Sequence, residues 1–198
     1  MTTVEYLQTP ETVLPRELAY GVLRVADSPT TMHQRVVRDL TVALTLFVRE
    51  RRLGEVFAAP TDVVLDYDRA LVVQPDVLFV SSARSDIVTD RVYGAPDLVV
   101  EVLSPHPRIG KLDERIAWFS RYGVRECWLI DVPLRQISVL PLGSQGPDER
   151  LLVSGSGPIP SAVLPGIPLS ATMLFGLLPP LSPDPRPETE TRDPDPEP

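Results

Sequence analysis

The sequence predicts an α/β (α+β) domain, one central mixed β-sheet flanked by helices. Short apolar runs, most of them rich in Val, Leu and Ile, recur at 55–59, 62–66, 71–80, 97–103, 125–131 and 135–140. Most have the length of buried strands and are too short for core helices. A helical stripe of Val36, Val37, Leu40, Ala43, Leu44 and Phe47 precedes them. A second stripe, Leu112, Ile116 and Phe119, stands between the fourth and fifth runs. Strand, helix and strand over about 35 residues fit a right-handed crossover between parallel neighbours.

Taken in order, residues 1–16 form a leader segment with a short helix near Thr3–Gln8. Residues 17–26 read as a hairpin turning near Gly21. Thr31 followed three residues later by Gln34 has the form of a capping box, so the first long helix is expected to start there and end before Gly54. The second is expected over 110–122, stopped by Gly123. Residues 144–160 are polar and glycine-rich, which suits a hairpin or excursion. Residues 161–178 carry a final short strand and helix. Neither an internal repeat, a phosphate-binding glycine loop, a dinucleotide fingerprint nor spaced Cys/His zinc ligands are present.

The 198 residues, 43% hydrophobic, suffice for one sizeable core, assigned to 1–178. Residues 179–198 contain six acids, two arginines and eight prolines. They read as a disordered, solvated tail without a core. Half of the net charge of −8 therefore sits in that tail, leaving a mildly acidic body that does not advertise nucleic-acid binding by net charge. No apolar run reaches the ~20 residues needed to span a bilayer. The N-terminus lacks a basic stretch leading into an apolar one, so the expectation is a cytoplasmic protein. The single Cys127 lies in an apolar strand and reads as a small buried hydrophobe.

Chemistry concentrates on two acids. Glu101 occupies an interior strand position among Leu98, Val99, Val100, Val102 and Leu103. A buried carboxylate costs several kcal/mol unless it is paired or binds a metal. Asp97, Val99 and Glu101 share one face of that strand, and Leu98, Val100 and Val102 the other. Asp76, after Pro75, opens an apolar run of its own. Two carboxylates with a backbone carbonyl and waters suit Mg²⁺ (or Mn²⁺), which activates water and neutralises a scissile phosphate. Lys111 and Arg115, one helical turn apart, are the cationic catalytic candidates beside the catalytic and metal-ligand candidates Asp76 and Glu101. Glu17 and His33 are accessory candidates, and His106 follows the Glu101 strand. The blander reading pairs Glu101 with an arginine and leaves Lys111 and Arg115 as solvated helix charges. Trp118, Phe119, Tyr122 and Trp128 read as core.

The fragments Arg16-Glu17-Leu18-Ala19-Tyr20-Gly21, Met32-His33-Gln34 and Gln74-Pro75-Asp76-Val77 occur in that order. They are followed by Gly94-Ala95-Pro96-Asp97-Leu98-Val99-Val100-Glu101-Val102-Leu103-Ser104-Pro105 and by Tyr122-Gly123-Val124-Arg125-Glu126-Cys127-Trp128-Leu129-Ile130-Asp131. Over roughly residues 10–175 this sequence resembles the Uma2 family of restriction-endonuclease-like domains, in the PD-(D/E)XK nuclease superfamily. The resemblance implies a restriction-endonuclease-like fold, Mg²⁺ or Mn²⁺ held by Asp76 and Glu101, and endonucleolytic hydrolysis of DNA phosphodiester bonds. A lysine two residues after the glutamate is absent, Leu103 standing there. The family's lysine comes instead from the next helix, in a pattern of Asp, three residues, Lys. Here Lys111 takes the aspartate position and Arg115 the lysine position. Arginine keeps a positive charge for phosphate but is a poor proton acceptor. The alternative is therefore a catalytically weak or inactive nuclease-fold protein that binds nucleic acid or protein. A third reading is a structural or regulatory protein whose acids are satisfied by arginines. DNA is the expected partner, and a homodimer the expected assembly.

Overall fold

The computed structural model of the protein describes residues 1–10, 14–26, 28–103, 111–143, 146–147, 149–176 and 178. Its elements run α1 (Thr3–Leu7), β1 (Arg16–Ala19), β2 (Val22–Val25), α2 (Thr31–Arg51), β3 (Gly54–Ala58) and β4 (Val63–Asp66). They continue with β5 (Leu71–Val73), β6 (Val77–Ser81), a 3₁₀ segment (Ser82–Ile87), β7 (Val92–Tyr93), β8 (Leu98–Leu103) and α3 (Leu112–Tyr122). The chain closes with β9 (Glu126–Asp131), β10 (Gln136–Gly143), β11 (Gly146–Pro147), β12 (Leu151–Val153) and α4 (Ala171–Gly176).

These strands make two sheets. The larger has the order β11-β10-β9-β8-β6-β3, with β12 also paired to β10, and the smaller has the order β2-β1-β5-β4-β7. The larger sheet is mixed: β8 and β9 pair in parallel from Leu98–Glu126 to Leu103–Asp131, while β6–β8 and β9–β10 are antiparallel. Parallel neighbours need a crossover, and α3 supplies it. This is an α+β fold with a central mixed sheet flanked by helices, as the spacing of apolar runs predicts.

The alternation of β8 separates two cores. Leu98, Val100 and Val102 face α2, joining Val36, Leu40, Leu44 and Phe47 with Trp128 and Ile130 of β9 and Leu174 and Phe175 of α4. Val99 faces the other way, with Leu78, Cys127 and Leu129, against Ile116 and Phe119 of α3 and Ala19, Leu71 and Val73 of the smaller sheet. The smaller sheet's outer face, Leu18, Val64 and Val72, is covered by Tyr6 of α1.

Several expectations need correction. The run 71–80 is two strands: β5 belongs to the smaller sheet, β6 to the larger, and Gln74-Pro75-Asp76 is the crossing between them. Proline cannot donate to a ladder, so it suits this break. The cap of α2 is Thr30, not Thr31. Thr30 is extended (φ −71°, ψ 159°) and its hydroxyl accepts from His33 N at 3.2 Å, while Thr31 is already helical. Two adjacent threonines offer the same chemistry, and only the backbone selects the first. In the segment 161–178 the expected strand reduces to a single bridge, Pro158–Ser170, before α4. The 144–160 excursion returns β11 and β12 onto β10. The 179–198 tail, Ser104 and His106 lie outside the described residues. Among those described, no helix is long and apolar enough to cross a membrane.

Candidate nuclease-type site

Four elements, β1, β8, α2 and α3, converge with the β5–β6 crossing on one spot. On β1, Leu18 points into the outer core while Glu17 and Ala19 point toward the larger sheet, following the two-residue period of a strand. On β8, Glu101 lies two residues past Val99 and therefore on the α3 side. Asp76 stands one step beyond the Val77–Val100 register pair of β6 and β8, which places it opposite Glu101. His33 comes from the first turn of α2, and Arg115 from the first turn of α3.

Arg115 is the centre of this arrangement. It is buried, and its guanidinium divides between two carboxylates: Nη1 donates to Glu17 Oε2, and Nη2 donates to Glu101 Oε1 at 2.6 Å. Its charge rests against the ring of Phe119, one turn along, at 5.6 Å from the centroid. The two acids hold the guanidinium charged despite burial. Its Nε has no partner among the described residues.

The acids are held by backbone as well. Glu17 Oε1 accepts from Gln74 N at 2.7 Å, tying β1 to the crossing segment. Asp76 Oδ2 accepts from Val102 N at 2.7 Å, and His33 Nε2 lies 3.2 Å from Asp76 Oδ1. His33 Nδ1 is buried without a described partner. The Glu101 carboxyl is pushed up to about 7: removal from water raises it, Arg115 pulls it back, and the negative charges of Asp76 and Glu17 raise it further.

Asp76, Glu101 and Arg115 thus meet, together with Glu17 and His33. Lys111 does not join them. It is exposed at the N-cap position of α3, and among the described residues its contribution is its carbonyl, which accepts from Arg115 N at 3.1 Å. The solvated reading of Arg115 fails, since Glu114 pairs outward with Arg24 at 3.0 Å and Arg115 turns inward. Asp97, on the same strand face in sequence, is a buried scaffold that accepts from Ser81 N at 2.8 Å and Arg125 Nη1 at 3.1 Å. Sequence reasoning missed Gln74 N and Val102 N as donors, because backbone groups carry no residue signature.

The donor set as arranged does not suit Mg²⁺ or Mn²⁺. Among the described residues no three His, Cys, Asp or Glu side chains are grouped to hold a metal. A guanidinium already lies against Glu101, and both Asp76 oxygens face donors. A divalent ion needs those lone pairs free and repels the arginine.

Fold and site together define an α+β domain in which a buried carboxylate–arginine cluster sits between α3, the smaller sheet and the mixed sheet. The chain belongs to the Uma2 family, described as "Putative restriction endonuclease", whose model matches residues 3–172. It is also similar in fold to a crystal structure from Anabaena variabilis described as "a putative nuclease belonging to DUF820". That likeness has 21% identity and a TM-score of 0.73, covering 89% of this chain and 98% of the other. No curated protein matches.

Proposed function

We propose that this chain is a nuclease-fold protein of weak or absent cleavage that binds nucleic acid. The observation that carries the reading is Arg115, buried and shared between Glu17 and Glu101 where the family pattern puts a lysine. A lysine there gives up a proton far more readily, and its single ammonium leaves carboxylate lone pairs open. Arginine does neither. With Lys111 replacing the acid one turn earlier, both departures act in the same direction.

Nucleic acid as ligand is supported by family membership, not by overall charge. Active Mg²⁺- or Mn²⁺-dependent DNA hydrolysis is the competing reading. Three full-length chains separate them: wild type, Lys111→Asp/Arg115→Lys, and Asp76→Asn/Glu101→Gln. Each is titrated with Mn²⁺ by calorimetry, assayed for nicking of supercoiled plasmid, and measured for duplex binding by fluorescence anisotropy. The expected outcome is duplex binding by the wild type without a Mn²⁺ isotherm, and nicking that appears or rises in the first variant. Wild-type nicking that is lost in Asp76→Asn/Glu101→Gln overturns the proposal.

A further inference from the structure

We propose that the acidic C-terminal stretch of this chain, residues 179–198, docks on the outward face of α2. This inference is independent of the cleavage question. The inward face of α2 is spent on the core, as its buried residues Val36, Leu40, Leu44 and Phe47 show. Opposite them, Arg35, Arg38, Val42, Leu46 and Arg49 follow one another at spacings of three and four, all exposed. Val42 is 54% and Leu46 66% accessible, so an apolar middle lies between arginine ends.

The charge of this face is not cancelled locally. Arg38 pairs with its neighbour Asp39 and Arg51 with Glu50, but no described residue pairs with Arg35 or Arg49. Five arginines face two acids over 31–52 in a chain whose net charge is −8. The remainder of the molecule is correspondingly more acidic, so α2 is a basic strip on an acidic body.

Three observations point to the chain's own C-terminal stretch as the occupant. It has complementary chemistry: Asp184, Glu188, Glu190, Asp193, Asp195 and Glu197 against Arg186 and Arg192, with prolines able to lie on Val42 and Leu46. It starts at the right place, because Leu178 is buried in the same core as α2 and α4 packs on α2. It is long enough: twenty residues of proline-rich chain reach about 60 Å. The 21-residue α2 spans about 30 Å. Tethering keeps the acids at millimolar effective concentration beside the arginines.

The test places a nitroxide on Thr191→Cys in the full-length chain, where Cys127 is buried and spared by the label. Paramagnetic broadening of backbone amide signals is then read at about 20 mM and about 0.5 M salt. The same label is read in two further chains: one with the six tail acids changed to amides, the other with Arg35→Glu and Arg49→Glu. Docking predicts broadening along 35–49 at low salt and its loss at high salt and in both variants. Neither variant touches a core residue, and a retained amide spectrum verifies folding. Broadening that ignores salt, or that is no stronger on α2 than on α3 and β2, overturns the proposal. If charge reversal on α2 abolishes duplex binding while the tail label leaves α2 unbroadened, the face belongs to nucleic acid and the proposal fails.

Discussion

At the scale of single residues, the site is a balance of three carboxylates and one guanidinium, and Glu101 is where the balance shows. Its folded-state value, raised to about 7 from 4.5, means that the folded chain holds a proton which the unfolded chain has released. Stability from this group is therefore fully present below pH 4.5 and is lost as pH rises toward 7. The slope is at most about 1.4 kcal/mol per pH unit. Glu101→Gln keeps an oxygen for Arg115 and removes the titration. Urea unfolding at pH 5 and pH 8 is expected to show a wild-type loss of stability that the glutamine chain lacks. Equal pH dependence in both removes Glu101 as the source. The identity of the acids was readable because a charge inside an apolar strand is costly and so conspicuous. Arg115 was readable as a cation but not as their partner: periodicity gave its place beside the core stripe, and only packing turned it inward. His33 stood out as an accessory candidate through the Met32-His33-Gln34 fragment, but its contact with Asp76 was not legible, since it depends on where the start of α2 meets the β5–β6 crossing 43 residues further along the chain.

Among elements, those with a strong period were legible and those defined by partners were not. The stripes of α2 and α3, and the apolar runs of β8 and β9, follow from burial on a helix face or in a sheet. The split of 71–80 into β5 and β6 was hidden because an unbroken hydrophobic pattern does not reveal which sheet each half joins. β7, two residues pairing in parallel with β4, is too short to leave a pattern. Gly54 marks another such place. It enters β3 at φ +152°, and a Cβ there meets the Val80 carbonyl oxygen at 2.0 Å. Backbone cannot retreat as a side-chain tip can, so β3 must shift away from β6 or the pair must part. Gly54→Ala is expected to cost about 3 kcal/mol or more, from strain and lost ladder bonds together. Thermal unfolding measures it, and a melting temperature within a degree or so of wild type contradicts the assigned backbone.

Considered as a whole molecule, the site spans a seam between two sheets. Glu17 belongs to the smaller and Glu101 to the larger, while Arg115 reaches both from α3. The position of Glu17 thus depends on how firmly the smaller sheet is seated. Among the described residues its outer face is covered by little more than α1, a single helix turn whose fully buried Tyr6 donates from its hydroxyl to Asp62 Oδ1, with Arg16 O also at 3.0 Å. That outer core contains Leu18, Val64, Ala70 and Val72, far fewer groups than either face of the larger sheet. Stability is divided accordingly, and the smaller sheet is expected to open first. Tyr6→Ala removes the ring and leaves Asp62 with one donor fewer, a loss on the order of 3–5 kcal/mol in a core with few neighbours to fill the gap. Native-state hydrogen exchange is expected to show protection falling at the β1 and β5 amides while β8 and β9 keep theirs. A uniform fall across both sheets indicates one cooperative unit instead, with the arginine bridge binding the sheets more tightly than the sparse outer core suggests.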